Sequence, residues 1–151
     1  MANDIDFPSL IAELPDWNEG RGIEPETWIE CMGNYELAIG YSLIFWPRFI
    51  VIDDYVLRAG STVEALRNFE EATGGDRRAT EAVMNHIHIA DIHTSGAEPS
   101  EAQVRYLGRL MKETLTAKLK AEFPDRSFVV RFTDEPGLDI TDYELTFWQQ
   151  V

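Results

Sequence analysis

The sequence predicts an α+β fold, in which about five helices pack on a small antiparallel sheet. Its length of 151 residues fits one domain, since domains commonly hold about 100–200 residues. Apolar residues make up 44% of the chain and charged residues 26%, which is ordinary for a globular protein. Helical periodicity covers most of the chain, whereas short runs typical of strands occur as two pairs, within residues 49–58 and 127–149.

Residues 1–24 are expected to form an irregular acidic arm, because prolines and glycines such as Pro8 and Gly20 interrupt them. The arm holds too many apolar side chains for a free tail. We therefore expect it to pack on the body of the protein. That body is predicted to be a single α+β domain over residues 25–151.

The next two segments are predicted to be helices. Pro25 is typical of a first helical position and Gly33 of a helix end, which predicts a helix over residues 25–32. Residues 35–46 fit either a strand with alternating apolar side chains or a helix capped by Asn34, and we favour the helix. Since nearly every side chain in this segment is apolar or small, the segment is expected to be buried.

The middle of the chain predicts a hairpin and two helices. Two short apolar runs flank a pair of aspartates, which indicates a hairpin over residues 49–58. Ser61 and Glu64 have the spacing of a capping box, so a helix is expected to begin there and to end at a glycine pair. Asp76 is suited to cap the following helix, predicted from residue 77 to the low nineties.

The strongest helical pattern covers residues 99–123, where apolar side chains recur along one stripe. Within that stripe, Leu107, Met111 and Leu115 are expected to lie on the sheet, and Gly108 to admit another backbone. A basic ridge flanks the stripe and has two interpretations, pairing with the acidic arm or binding an anion. We favour pairing with the arm. The ridge consists of Arg105, Arg109, Lys112 and Lys120.

The end of the chain predicts an antiparallel pair of strands, residues 127–133 and 143–149. A register that aligns their apolar faces also places Arg131 opposite Glu144, which is a favourable cross-strand pair. These two strands and the preceding hairpin are expected to form one sheet.

The chain is strongly acidic, with a formal net charge of −14. Residues 1–36 hold nine acidic residues and one basic residue, a net charge of −8. An anionic surface repels phosphate backbones, which argues against direct binding to DNA or RNA, and it attracts basic proteins. We expect a non-enzymatic acidic binding protein that engages a basic partner, with an immunity- or antitoxin-like role as one form. The competing interpretation is that the acidity only maintains solubility.

Several features bear on compartment and cofactor. The chain has no run of about 18 apolar residues and no basic, apolar secretory signal at its start. A single cysteine, Cys31, allows neither an internal disulfide nor a cysteine-based zinc site, and it is expected to be buried. These features predict a cytoplasmic protein without a membrane span and without a cofactor.

All three histidines lie in the segment HIHIADIH together with an aspartate. Alternate histidines on a strand share a face and suit zinc or iron. The segment resembles the H-x-H-x-D-H run of metallo-β-lactamase-like hydrolases, although its spacing differs. On the predicted helix, however, the first and last histidines point away from the other two side chains. A metal-dependent enzyme is therefore the alternative function, with His86, His88, Asp91 and His93 as its ligands.

Three further residues are candidates for binding: Trp46, Arg48 and Trp148. Arg48 beside Trp46 is suited to pair with a ligand carboxylate, with Asp53 and Asp54 as its competing partners. Trp148 is expected on the outer side of the last strand, either covered by a helix or exposed for contact. The chain has neither a G-x-S-x-G nor a phosphate-binding glycine motif, so enzymatic activity is not expected.

Three segments carry a resemblance to a group of small bacterial proteins of unknown function. They are WPRF at 46–49, NHIHIADIH at 85–93 and GLDITDYELTFWQ at 137–149. The resemblance covers most of the chain and implies a bacterial cytoplasmic protein with a helix at 35–46. It implies no activity, cofactor or catalytic residue.

Overall fold

A computed structural model of the protein describes residues 4–151. The chain divides into two compact units, unit 1 over Met1–Tyr41 and unit 2 over Ser42–Val151. The α+β class is confirmed, but the described residues hold seven α-helices instead of about five, and two antiparallel sheets instead of one. The predicted packing of the arm on a 25–151 domain stays a prediction.

Unit 1 is helical. Short helices interrupt the arm that was expected to be irregular, and Asp6 caps the first of them by accepting from the backbone N–H of Ser9. The predicted helix over residues 25–32 is confirmed. The elements are α1 (Phe7–Leu10), a 3₁₀ turn (Leu14–Asp16), α2 (Trp17–Gly20), α3 (Pro25–Met32) and α4 (Tyr35–Phe45), the last of which continues into unit 2.

Helix α4 confirms the favoured interpretation of residues 35–46 but not the expected burial. Its first half is exposed, and Tyr35 retains 90% of its accessible surface. Only the far end contributes to a core, where Ile44 and Phe45 pack in unit 2. A helix that is apolar on all sides normally lies buried, so an exposed one requires explanation.

Strands β1 (Phe49–Ile52) and β2 (Tyr55–Arg58) form the predicted hairpin. The turn residues Asp53 and Asp54 both have positive φ, 47° and 69°. This is the left-handed conformation that a two-residue hairpin turn requires at both central positions, and aspartate tolerates it better than most residues other than glycine.

The second sheet has three strands in the order β3-β5-β4. They are β3 (Ile87–His88), β4 (Phe128–Phe132) and β5 (Glu144–Gln149). The expected single sheet is therefore wrong, since β3 and not the hairpin pairs with β5. The expected register is also wrong by two residues, because Arg131 lies opposite Thr146 and Glu144 lies opposite His88. A slip of two residues keeps every side chain on its face, so the apolar pattern alone does not exclude it.

Three further helices belong to unit 2: α5 (Val63–Ala72), α6 (Arg77–Met84) and α7 (Glu101–Glu122). The cap of α5 is Thr62 and not Ser61, because the Thr62 hydroxyl accepts from the Ala65 N–H. Asp76 caps α6 as predicted. That helix ends at Met84 instead of in the low nineties, since the residues that follow pair with β5.

The main core of unit 2 lies between α7 and the three-stranded sheet. Met111 and Leu115 are buried as predicted, whereas Leu107 is only partly buried. Gly108 faces Phe132, and a Cβ atom there would lie 2.1 Å from the ring carbon Cζ. The close neighbour of this glycine is thus an aromatic ring and not the backbone that was expected.

Candidate functional site

A cavity of about 420 Å³ in unit 2 combines charged, aromatic and apolar side chains. Its volume falls within the range of about 300–1,000 Å³ that is common for small-ligand sites. The polar part of its lining comprises Arg58, His86, His88 and Asp91. The apolar part comprises Leu43, Ile44, Pro47, Ile87, Ile92 and Met111.

The backbone of Arg58, the last residue of β2, is held on both sides. Its N–H donates to Oδ1 of Asn85 at 3.0 Å, and its carbonyl accepts from the Ser61 hydroxyl at 2.8 Å. Asn85 is itself fully buried, and its amide donates to the carbonyls of Val56 and Phe147. The position from which the Arg58 side chain enters the cavity is therefore fixed.

The Arg58 side chain is a partly buried cation without an acidic partner. One of its five N–H donors meets a protein acceptor, with Nη1 3.2 Å from the His86 carbonyl oxygen. Across residues 4–151 no carboxylate lies within 4.0 Å of its guanidinium, whereas Arg67, Arg105 and Arg126 all have one. Burial lowers the pKa of Arg58, but an arginine stays charged in a protein.

The two histidine rings of the cavity lie against each other. The ring centroids of His86 and His88 are 5.0 Å apart, in an edge-to-face arrangement. Nδ1 of His86 is 2.6 Å from the Val83 carbonyl, and Nδ1 of His88 is 2.7 Å from the Thr141 carbonyl. Because a carbonyl only accepts, each Nδ1 carries a proton, which leaves Nε2 of each neutral ring as an acceptor.

This arrangement corrects the helical interpretation of the histidine segment. His86 and His88 lie on the extended chain at β3 and not on a helix, so side chains two residues apart share a face. Asp91 also lines the cavity, whereas His93 does not belong to its lining. The sequence did contain the signal for this, since the order His-Ile-His-Ile alternates with a period of two.

The grouping of His86, His88 and Asp91 in the cavity does not form a set of metal ligands. Over the part of the chain that the structure describes, no three histidine, cysteine, aspartate or glutamate side chains are placed to hold a metal ion. Structural and catalytic zinc sites use at least three protein ligands. The geometry therefore gives no support to the metal-dependent enzyme, whose proposed ligands were His86, His88, Asp91 and His93.

Trp46 and Arg48 do not line this cavity. Both are exposed, and the Lys118 ammonium lies 5.6 Å from the centre of the Trp46 ring. The expected competitors for Arg48 are taken, since Asp53 pairs with Arg67 and Asp54 pairs with Arg77 and Arg126. A binding role for Trp46 and Arg48 stays a prediction.

Trp148 is covered, which was one of the two alternatives expected for it. It retains 6% of its accessible surface. The guanidinium of Arg78, on α6, lies 4.8 Å from its ring centre, and that of Arg131, on β4, lies at 5.4 Å. Two cations at these distances interact favourably with the face of an indole ring.

The two arginines of the basic ridge pair with a carboxylate of unit 2. Arg105 and Arg109 donate to the two carboxylate oxygens of Asp134 at 2.8 and 2.6 Å. Burial tends to raise the pKa of Asp134, but the hydrogen bonds from Arg109 and Arg105 prevail and lower it. These two arginines are thus paired within unit 2, and the expected pairing of the ridge with the acidic arm stays a prediction.

Unit 1 presents a second candidate surface, on α3 and the first half of α4. We call it the acidic face; its side chains are exposed to solvent. Its carboxylates alternate with large apolar side chains, of which Ile29 and Met32 retain 55% and 52% of their surface. Cys31, expected to be buried, is also exposed there. The acidic face comprises Glu24, Glu26, Ile29, Glu30, Met32, Tyr35, Glu36 and Leu37.

Comparisons with models of protein families, with characterised proteins and with solved structures give no match to this chain. Among residues 4–151, no helix has both the length and the apolar composition needed to cross a bilayer. Geometry and charge are therefore the basis on which a function is assigned.

Proposed function

We propose that this protein is a non-enzymatic binding protein that engages a basic partner protein through the acidic face of unit 1. An immunity- or antitoxin-like role, in which the chain covers a basic surface of another protein, is the concrete form of this proposal. The observation that carries it is the joint exposure of carboxylates and large apolar side chains on α3 and α4.

The charge of unit 1 supports a cationic partner. Its sequence holds nine acidic residues against a single base, Arg21. The Arg21 guanidinium lies 3.7 Å from the carboxylate of its near neighbour Glu19 and makes its other side-chain contacts to Asn18. Such an excess of negative charge attracts a basic protein at long range and accelerates its encounter, and added salt weakens the attraction.

The apolar side chains of the acidic face provide the apolar centre that a stable protein interface requires in addition to charge. Protein interfaces combine an apolar centre with a polar rim, and rim charges contribute more to encounter rate and specificity than to affinity. Tyr35, Met32 and Ile29 are exposed here beside Glu30 and Glu36. Aromatic residues and methionine are enriched in interface cores, so this composition fits a docking surface.

A capture experiment tests the proposal. The purified chain is immobilised and incubated with lysate of its source organism at low and at moderate salt, and retained proteins are identified by mass spectrometry. A variant in which four carboxylates of the acidic face are neutralised is treated in parallel. The variant combines Glu24→Gln, Glu26→Gln, Glu30→Gln and Glu36→Gln.

A matched control removes the same charge from exposed positions of unit 2. It combines Glu71→Gln, Glu98→Gln, Glu113→Gln and Glu135→Gln. We expect a protein of net positive charge to be retained by the wild type and by this control but not by the acidic-face variant. Retention of no such protein, or equal retention by both variants, would contradict the proposal.

A further inference from the structure

We propose that the cavity of unit 2 binds a small organic monocarboxylate that carries an apolar group and a hydrogen-bond donor, with Arg58 holding the carboxylate. Its lining shares no residue with the acidic face, and the proposal does not depend on a partner protein. Its ligand class follows from three features of the lining: an arginine without an acidic partner, two imidazole acceptors and an apolar wall.

Arg58 selects a carboxylate. Four N–H donors of its guanidinium remain without a protein acceptor among residues 4–151, and the residue is partly withdrawn from water. A partly buried cation gains more from a paired anion than an exposed one does, and a guanidinium matches a carboxylate through two parallel hydrogen bonds. In an acidic chain, a partly buried arginine that lines a cavity without a carboxylate partner favours an anionic ligand there.

The apolar wall determines what the carboxylate is attached to. Leu43, Ile44, Ile92 and Met111 line the cavity together with Arg58. These side chains come from α4, from a 3₁₀ turn after β3 (Ile89–Ile92) and from α7, and they offer aliphatic surface without hydrogen-bonding groups. A branched or aromatic group of the ligand would bury its surface against them.

The remaining polar groups of the lining favour a ligand that carries a single negative charge and a hydrogen-bond donor. Nε2 of His86 and of His88 accepts hydrogen bonds when the rings are neutral, and Asp91 accepts as well. A hydroxyl or amine on the ligand satisfies such acceptors. Asp91 and the negative net charge of the chain both oppose a second negative charge, so a monoanion is favoured over a phosphate dianion.

The test uses 2-hydroxy-3-phenylpropanoate as the probe, with binding measured by calorimetry and by amide shifts of residues 86–92 in nuclear magnetic resonance spectra. Three related compounds are titrated beside it. The primary amide lacks the charge, 3-phenylpropanoate lacks the hydroxyl donor, and phenyl phosphate carries a second charge. We expect the probe to bind most tightly and to shift the amides of this segment.

Variants locate the interaction. Arg58→Gln is expected to weaken binding of the probe about tenfold or more, since a charge-assisted pair is lost. Arg21→Gln is the matched control, because it removes an equally positive charge from an exposed position outside the cavity, and it is expected to bind as the wild type does. The primary amide of the probe compound tests the same interaction in the wild-type protein. A poorly folded Arg58→Gln variant would therefore not obscure the result.

Four results would overturn the proposal. The first is that the probe shows no saturable binding up to about 20 mM, a concentration above the Kd of specific small-ligand sites. The second is that the amide or 3-phenylpropanoate binds as tightly as the probe, and the third is that phenyl phosphate binds more tightly. The fourth is that the two arginine substitutions weaken binding equally.

Discussion

The carboxylate of Glu81 accepts a hydrogen bond from the backbone N–H of Gln149 at 2.6 Å, although the two residues are 68 positions apart. The same carboxylate accepts from the Val56 N–H at 3.0 Å and from the Gln149 side-chain amide at 2.6 Å. One buried side chain of α6 therefore joins β2 to β5. Asn85, one turn later, makes the same connection through the carbonyls of Val56 and Phe147.

This connection leads to the first prediction. Glu81→Ala should destabilise unit 2 by about 3 kcal/mol, because it leaves the buried N–H of Val56 and the partly buried N–H of Gln149 without an acceptor. Glu81→Gln retains one acceptor oxygen and should cost less. Urea denaturation followed by circular dichroism measures both, and a loss below about 1 kcal/mol for Glu81→Ala would show that the connection is not needed.

The second prediction concerns Gly108. A methyl group at this position would overlap the Phe132 ring, so Gly108→Ala should destabilise the protein by about 1–3 kcal/mol, the usual cost of overpacking a core. Gly40, within the exposed part of α4, has nothing within 4 Å of an added Cβ. Gly40→Ala is the matched control and should be neutral or stabilise by up to about 1 kcal/mol, from helix propensity. Similar effects of the two substitutions would refute the contact.

The third prediction is a pH dependence that comes from Asp134. Because its pKa in the folded protein is below the value near 3.8 of a free aspartate, its contribution to stability is complete above that value. The contribution is lost as the pH falls through the lower, folded-state pKa. The difference in unfolding free energy between wild type and Asp134→Asn should therefore be constant from about pH 7 to pH 5 and should shrink below about pH 4. A difference that stays the same below about pH 4 as it is at pH 7 would disprove the pairing with Arg105 and Arg109.

The fourth prediction separates binding from stability on the acidic face. Met32→Gln and Tyr35→Gln replace exposed apolar side chains by a good helix former, so the unfolding free energy should change by less than about 0.5 kcal/mol. Capture of the basic partner should nevertheless decrease. Leu119→Ala, in the buried core, is the contrasting substitution and should cost about 2–5 kcal/mol. Large destabilisation by Met32→Gln or Tyr35→Gln would mean that these side chains serve packing.

The elements that the sequence predicted well are those whose signals are local. Pro25 and Asp76 act within one helical turn, and the two aspartates of the hairpin form a turn with their immediate neighbours. The errors concern long-range pairing. Residues 87–88 leave the helical pattern because β5 pairs with them, and a register shifted by two residues preserves the same apolar faces.

The two candidate sites also differ in whether the sequence alone could predict them. The charge of the acidic face is a property of composition, so it was visible in the sequence. Arg58 was missed because an arginine at a strand end is ordinary, and only the fold brings it to His86 and Met111 while leaving it without a carboxylate. The grouping of His86 with His88 was considered, but the predicted helix placed them on opposite sides.

The most direct test of the acidic face is the affinity of the captured basic partner for wild type and for the variant with four neutralised glutamates, measured by calorimetry at two ionic strengths. We expect the wild type to bind more weakly at the higher salt concentration and the variant to bind at least about tenfold more weakly than the wild type at the lower one. Equal affinities of the two proteins, or an affinity of the wild type that does not respond to salt, would contradict an interface formed by these carboxylates.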